Sequence, residues 1–558
     1  MAKSRVGFLD SYGEWNADLG NQAGLQMKMQ LSRKHRFTLA GILALTVLSR
    51  IPFRARIPYG LDSIQFVLGI GHYDVRIHQP HPPGYFLFVM MGRWLNYLLQ
   101  DPNLSFVVLN IGFSALAAWL IFCIGHELFG VESAFASLLL VASSPVFWFH
   151  GEVALSNVAD CFFVCMLALL CWRNLSNGSR HIYLSAVVLG LAGGVRQNTL
   201  LFMLPLWVLS VKRAGLRRCL VSLAILILTV CSWYLPMVEL SGGMSAYQTA
   251  LRDHWLNSNW HGFSLEWIPF NFFCVGYFIL LGTGPGAIFL LLGTLFYLEK
   301  SKLPSLLGDL HFRFFAAWLL PCLGFFVFVY SHPIQTGHSL IYLPALLILM
   351  PRCVALSCEQ IIRLFKPSVA ELAASRDVDR ALRPSAGLSR MQVLTGTLLG
   401  YNLIAFLVMN GAVSRGSIRK YESQVAEVAT EVQSHWPPEE TVLISYDFMF
   451  LGFRDFMFHL PEYHSYQPRL YSMSGKKVLF SGFRRQTQLL EDIEVPAETR
   501  SFVLTADEFI KNPELIHGIK LERFPKESFL TTPSGLRLFY GQIQDLSKFF
   551  PQVHVKLQ

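Results

Sequence analysis

Apolar residues run in blocks along the first three quarters of the chain, and each block ends at a short polar or basic segment. Crossing a hydrocarbon core of about 30 Å takes roughly 20 apolar residues in a helix. On that measure the pattern predicts membrane spans near 37–53, 104–125, 132–150, 153–172, 182–196, 197–211, 219–238, 271–298, 312–331, 338–351 and 393–413, about eleven in all. The stretch 182–211 is interrupted by Gly193, Gly194, Arg196, Gln197 and Asn198. It reads as two tilted spans meeting at a polar turn, or as one long helix. From Arg415 the pattern changes. Strand-like runs at 441–445, 477–480 and 501–505 alternate with helix-like stretches at 418–433 and 487–493, which predicts a small soluble α/β or α+β domain. The expected architecture is a polytopic α-helical membrane protein: an N-terminal segment 1–36, a membrane domain 37–414 and a soluble domain 415–558.

Composition agrees. The 558 residues are 53% hydrophobic and 15% charged, against about 25% charged in soluble proteins. The net charge of +9 could suggest nucleic acid, but its location argues otherwise. Of 46 basic and 37 acidic residues, 17 and 18 lie from Arg415 onward, leaving 29 and 19 before it. The basic excess belongs to the apolar part, as in a membrane protein with basic cytoplasmic loops, and no nucleic-acid partner is expected. All 10 cysteines also precede Ser414, most of them inside apolar runs. There a thiol behaves as a small buried hydrophobe.

The positive-inside rule sets the orientation. Lys28, Arg33, Lys34 and Arg36 place the N-terminus in the cytoplasm, and the basic loops 173–181, 212–218, 299–313 and 352–390 then fall on the same side. Loops 54–103, 239–270 and 332–337 fall outside, with the tail from Arg415. This requires that 83–100 lie along the interface, which suits its Arg93, Trp94, Asn96 and Tyr97. Residues 1–36 lack the apolar core of a cleavable signal. Of the three Asn-x-Ser sequons, at Asn103, Asn174 and Asn177, the latter two fall on the cytoplasmic side, and no retention signal ends the chain. The expectation is a bacterial inner membrane with a periplasmic tail.

The first external loop breaks the charge rule. It contains Arg54, Arg56, Asp62, His72, Asp74, Arg76, His78, His81 and Tyr85, with His81-Pro-Pro-Gly-Tyr85 at its centre. Arg54 and Arg56 either anchor the first span in headgroups or form a cationic floor for a lipid phosphate, which guanidinium matches in a bidentate way. Asp62 precedes a short apolar stretch, 64–70. It is either the cap of an interfacial helix or a carboxylate able to take a proton from an attacking hydroxyl. Asp74, His78 and His81 are turn-forming polar residues, or an acid, base or metal-binding cluster.

Further along, Glu152, Asn157 and Asp160 sit at or near an external boundary, and carboxylates at membrane depth face a cavity or a partner. Arg196 could pair with Asp160 or hold a phosphate. His332 and His338 flank a tight external turn and suit the lining of a sugar or phosphate pocket better than a metal site. Trp255, Asn257, Asn259, Trp260 and His261 suit carbohydrate stacking or belt anchoring.

An aspartate soon after the first span, followed by His81-Pro-Pro-Gly-Tyr85 and an apolar interfacial helix, resembles the GT-C glycosyltransferases. Within them the chain most resembles the glycosyltransferase family 39 branch of protein O-mannosyltransferases and aminoarabinose transferases. The resemblance implies a membrane enzyme that moves sugar from a polyprenyl-phosphate donor to an acceptor hydroxyl on a glycan, glycolipid or protein. It makes Asp62 the catalytic carboxylate and places His81 beside the active site. Glu152 or Asp160, after Ser144-Pro145, supplies a second acidic position. Arg54, Arg56, Asp74, Arg76, His78, Tyr85, Arg196, His332 and His338 are the remaining candidate substrate contacts. Ser63 stands where the O-mannosyltransferases have a second acid, so a divalent metal is left open and protein mannosylation is in doubt. The competing readings are a transporter or flippase of a lipid-linked or anionic solute, and a non-catalytic envelope assembly subunit.

Overall fold

A computed structural model describes residues 31–445 apart from 179, 213, 258–263, 301–302 and 366–389. Beyond these it describes 452–466, 470–471, 477–478, 492–505, 528–549 and 554–557. The chain begins with α1 (Arg33–Arg50), α2 (Gly60–Gly71), α3 (Phe86–Leu99), α4 (Pro102–Phe129), α5 (Val131–Ser143), α6 (Pro145–His150) and α7 (Asn157–Asn177). It continues through α8 (Ile182–Val195), α9 (Gln197–Val211), α10 (Leu216–Leu240), α11 (Met244–Asn257), α12 (Ile268–Thr283), α13 (Gly286–Lys300) and α14 (Leu303–Gly308). The last of the apolar helices are α15 (Leu310–Phe328), α16 (Leu343–Phe365) and α17 (Arg390–Leu407). One apolar core runs through them, with α4 packed on α5 and α7, and α8 packed on α7, α9 and α10.

Among the described residues, five helices are long and apolar enough to cross a membrane: Pro102–Phe129, Asn157–Ser176, Leu216–Leu240, Leu265–Thr283 and Leu310–Phe328. The other apolar helices are shorter. α1, the first expected span, carries Arg33, Lys34, Arg36 and Arg50 within 18 residues, so it stands outside that set. Two further expectations change where a breaker interrupts an apolar run. The run 132–150 is two helices, because Pro145 has no amide to continue α5 and opens α6 instead. The run 271–298 is also two, broken at Gly284-Pro285. Gly284 adopts φ +57°, and only a residue without Cβ takes that turn at no steric cost. At 182–211 the two-helix alternative holds, with Arg196 in extended conformation between α8 and α9.

The segment after α1 carries α2 and α3, with a short 3-10 turn at Val75–Ile77 between them. Tyr59 is the N-cap of α2 and makes no side-chain cap, so Asp62 lies inside the first turn and is not the cap. A carboxylate there still complements the positive end of the helix. In α3, Trp94, Tyr97 and Leu98 are exposed while Phe86, Phe88 and Val89 are buried, the two-faced pattern of a helix lying at an interface.

Ser414 caps α18 (Arg415–His435) through a capping box with Ser417. Tyr421, Val425, Val428 and Val432 recur at helical spacing and pack on a mixed five-stranded sheet. Its strands are β1 (Thr441–Ile444), β2 (His464–Tyr466), β6 (Ser501–Thr505), β7 (Phe529–Thr531) and β8 (Arg537–Gln542), in the order β2-β1-β6-β8-β7. β1 runs parallel to β2 and β6, and β8 is antiparallel to β6 and β7. Phe502, Val503 and Leu504 are buried in succession, as expected of a central strand covered on both faces. Smaller pairings join β3 (Leu470–Tyr471) to β4 (Lys477–Val478), and β5 (Asp492–Val495) to β9 (His554–Leu557). The helix expected over 487–493 is thus a strand from Asp492, with 487–491 outside the described residues. The tail also holds α19 (Phe453–His459) and α20 (Leu546–Phe549). Ile57 and Tyr59, between α1 and α2, pack against the tail's core.

Candidate active site

Asp62 and Gln65 stand three residues apart on α2 and therefore share a face. Both point at His81. Its Nδ1 lies 2.6 Å from Gln65 Oε1 and 3.8 Å from Asp62 Oδ1. Its Nε2 lies 3.2 Å from the Tyr85 hydroxyl. With the Gln65 carbonyl accepting, Nδ1 carries the proton and Nε2 accepts from Tyr85, which is the pattern of a neutral imidazole. Burial pushes His81 below the ordinary histidine value. The Asp62 charge opposes that shift, and Arg196 and Arg454 reinforce it. The Asp62 side chain is 49% exposed and open to an incoming group.

Tyr85 links this group to a second one. The Arg196 guanidinium lies over its ring, 5.6 Å from the centroid, in cation–π range. Arg196 occupies the break between α8 and α9, so its side chain leaves the helix axis, and its Nε stands 4.0 Å from Asp160 Oδ2. Asp160, in the first turn of α7, also accepts from Thr199 Oγ1 at 2.6 Å. Asp62, His81, Tyr85, Arg196 and Asp160 thus form one continuous chain of contacts spanning four elements.

Around it stand several histidines. His78 and His254 meet edge-to-face at 5.5 Å, and His254 lies 6.1 Å from His81. Burial drives His78 well down and His254 to about 4. His338 stacks on Phe326 at 5.6 Å, within electrostatic reach of Arg196 and His81, and its Nδ1 is buried without a hydrogen-bond partner among the described residues. His332 is partly exposed on the same turn. That turn comes close only because position 337 is glycine. A Cβ there would meet the Asn157 side chain at 2.5 Å and His150 at 2.6 Å.

The remaining candidates have neighbours of their own. Asp74 and Arg76 form a forked pair with contacts of 2.7–3.1 Å, and Asp74 also accepts from the Arg76 amide, closing the turn before His78. Arg54 donates to the Ile51 carbonyl at the end of α1, and the Arg56 amide donates to Glu422 of α18. Glu152 is fully buried, not a cap at the outer surface, and accepts from Trp148 Nε1 at 2.6 Å. Its neighbour Arg50 is held between Phe147 and Trp148. Asn259, Trp260 and His261 lie outside the described residues, as do the side chains of Trp255 and Asn257. Among the described residues no group of three or more His, Cys, Asp or Glu is disposed to hold a metal ion.

Gln65, Thr199, His254 and Arg454 were not singled out by the sequence pattern. Gln65 had a usable signal, one turn after Asp62, and so did Thr199, three residues after Arg196. His254 and Arg454 reach the site across long stretches of chain.

Residues 80–236 match the dolichyl-phosphate-mannose-protein mannosyltransferase family, a stretch that begins at the proline-rich element and contains His81, Tyr85, Glu152, Asp160 and Arg196. No curated protein matches the chain by sequence. Among solved structures, ArnT from Cupriavidus metallidurans bound to undecaprenyl phosphate is similar, with 11% identity and a TM-score of 0.52 over 91% of this chain and 98% of that one. Its apo state gives 10% identity and a TM-score of 0.52 over 90% and 97%. An acceptor-peptide-tethered oligosaccharyltransferase from Archaeoglobus fulgidus is 11% identical over 91% of this chain and 74% of that one, with a TM-score of 0.43. In sequence over residues 80–236, and in fold over nine-tenths of its length, the chain resembles the GT-C glycosyltransferases of the family 39 branch.

Proposed function

We propose that the protein transfers a sugar from a polyprenyl-phosphate donor to an acceptor hydroxyl at the outer face of a membrane. The observation that carries this reading is the unbroken run Asp62–His81–Tyr85–Arg196–Asp160, with a half-exposed carboxylate at one end and, toward the other, a cation paired with a buried carboxylate. The acceptor oxygen attacks the anomeric carbon as its proton passes to the Asp62 carboxylate. The bond from the anomeric carbon to the phosphate oxygen breaks, and polyprenyl phosphate leaves as an anion. Arg196 meets that developing charge from a fixed position, where a preorganised cation is most effective. His81 orients Asp62, and the Nδ1 of His338 is a further donor for the sugar or the phosphate.

The same reading divides the chain into a cytoplasmic segment 1–36, a membrane domain 37–414 of about eleven spans, and an external, periplasmic domain 415–558 in a bacterial inner membrane. The likeness to an ArnT bound to undecaprenyl phosphate supports a lipid-linked donor, and the family match over 80–236 supports glycosyl transfer. Replacing Asp62→Asn tests the chemistry. Transfer from a polyprenyl-phosphate sugar should collapse while expression and undecaprenyl-phosphate binding persist. Retained transfer would sink the mechanism, and solute movement without transfer would favour a transporter.

A further inference from the structure

The C-terminal domain reaches into this site through one side chain. α19 opens in a capping box in which the Asp455 carboxylate accepts from the Gly452 amide at 2.8 Å, and Asp455 also accepts from the Tyr421 hydroxyl of α18 at 2.7 Å. The Tyr421 ring packs on Tyr59, 4.9 Å between centroids, at the start of α2. α19 itself packs on α2. This clasp turns Arg454, 2% exposed, back toward the first external loop, where its guanidinium donates to the Ile77 carbonyl. Burying a guanidinium is costly unless its charge and donors are used.

The carbonyl it holds immediately precedes His78. His78 sits in the left-handed region at φ +54°, ψ +43°, a conformation that is strained for a residue with a Cβ. Such residues persist where their surroundings over-determine them, and they cluster at functional sites. The strained residue is packed through His254 toward His81. Restraint of the Ile77–His78 turn is therefore restraint of the imidazole beside Asp62.

We propose that Arg454 is a positioning residue of the transfer site, through which the C-terminal domain holds the His78 turn and fixes His81 against Asp62. The proposal rests on the reading of Asp62 and His81 as the transfer site. Asp62 and Gln65 face His81 from α2, Tyr85 from the proline-rich element and Arg196 from the α8–α9 break. His254 faces it from α11, with His338 from the 336–341 turn and Arg454 from α19. Asp62 favours the imidazolium, while Arg196 and Arg454 oppose it.

The test is C2-hydrogen exchange at individual histidines in the full-length protein, followed by mass spectrometry across pH. No sugar donor is present, so this proposal and the transfer reading can fail separately. Removing the cation in Arg454→Gln should raise the exchange midpoints of His78 and His81 by about half a pH unit or more. Arg454→Lys should leave them near the unsubstituted protein. Midpoints unmoved in the glutamine variant, or moved as far in the lysine variant, overturn the proposal. Should Arg454→Gln not fold, Tyr421→Phe decides. Loosening the Asp455 clasp should move both midpoints the same way by a smaller amount, and no movement overturns the proposal.

Discussion

His81 and Asp62 are neighbours without a hydrogen bond between them: Nδ1 of the one stops 3.8 Å from Oδ1 of the other, because Gln65 Oε1 takes that nitrogen at 2.6 Å. The arrangement leaves the lone pairs of Asp62 open to an acceptor hydroxyl while the imidazole is still held in one orientation. A base bonded directly to His81 would have to give up that bond at each turnover.

The first prediction tests this separation. Gln65→Leu frees the Nδ1 proton to swing onto Asp62. kcat should then fall roughly 10- to 100-fold with little change in KM, the mark of an interaction realised in the transition state. Steady-state kinetics with a polyprenyl-phosphate sugar check it. An unchanged kcat would mean that Gln65 merely fills space.

A second prediction concerns acid. Burial depresses His78, His81 and His254 in the fold, the last to about 4, while each titrates near 6.5 once unfolded. Between those values the unfolded chain binds more protons, so acid favours unfolding. The stabilising effect of keeping these rings neutral is complete above pH ~6.5 and is lost progressively as pH falls toward their folded values, by about 1.4 kcal/mol per pH unit for each excluded proton. Tm measured from pH 7.5 to 5 should fall, and His254→Phe should flatten the slope. Activity should hold down to a pH below the ordinary histidine value, because neutral His81 is the working form. An acid limb centred above pH ~6.5 would count against that form.

Arg196 supplies a third test. Its guanidinium serves three directions at once: the Tyr85 ring, the Asp160 carboxylate and, in the proposed reaction, the donor phosphate. A lysine ammonium is a point charge that cannot replace the planar fork. Arg196→Lys should raise the KM for donor about tenfold, roughly 1.4 kcal/mol, and weaken undecaprenyl-phosphate binding in parallel. If KM holds and only thermal stability falls, Arg196 is a partner for Asp160 and nothing more.

How much of this could be read from the residues follows from the range of the interactions. The apolar blocks, the polar break at Arg196 and the central strand at 501–505 are local patterns, and the structure keeps all three. The pairing of Arg196 with Asp160 was one of two readings, and the contact is made at 4.0 Å. Helix ends within long apolar blocks were blurred where a single Pro or Gly decides them, as at Pro145 and Gly284. The cations of the loop after α1 are a different case. Arg54, Arg56 and Arg76 look equivalent along the chain, yet Ile51, α18 and Asp74 lie close to them once it folds. Arg454 had no local signal at all, because its use depends on how the tail docks on the loop.

Glu152 is the candidate whose placement changes its expected behaviour most. It and Arg50 are both fully buried, and the two terminal nitrogens of the Arg50 guanidinium donate to the carbonyls of Thr46 and Ala142 while Phe147 and Trp148 cover its faces. The Glu152 carbonyl meanwhile receives the Ala55 amide, so the pair ties the end of α1 to the loop after α6. Removing one member of such a pair strands the other charge in a dry interior, at a cost of about 3–5 kcal/mol, whereas replacing both by apolar groups of similar volume is often neutral. Glu152→Gln alone should therefore lower thermal stability sharply in detergent. The double variant Arg50→Met with Glu152→Leu should recover most of the loss, and donor KM in the double variant should stay close to that of the unsubstituted protein. A double variant that folds as well as the parent but no longer binds undecaprenyl phosphate would return Glu152 to the list of substrate contacts.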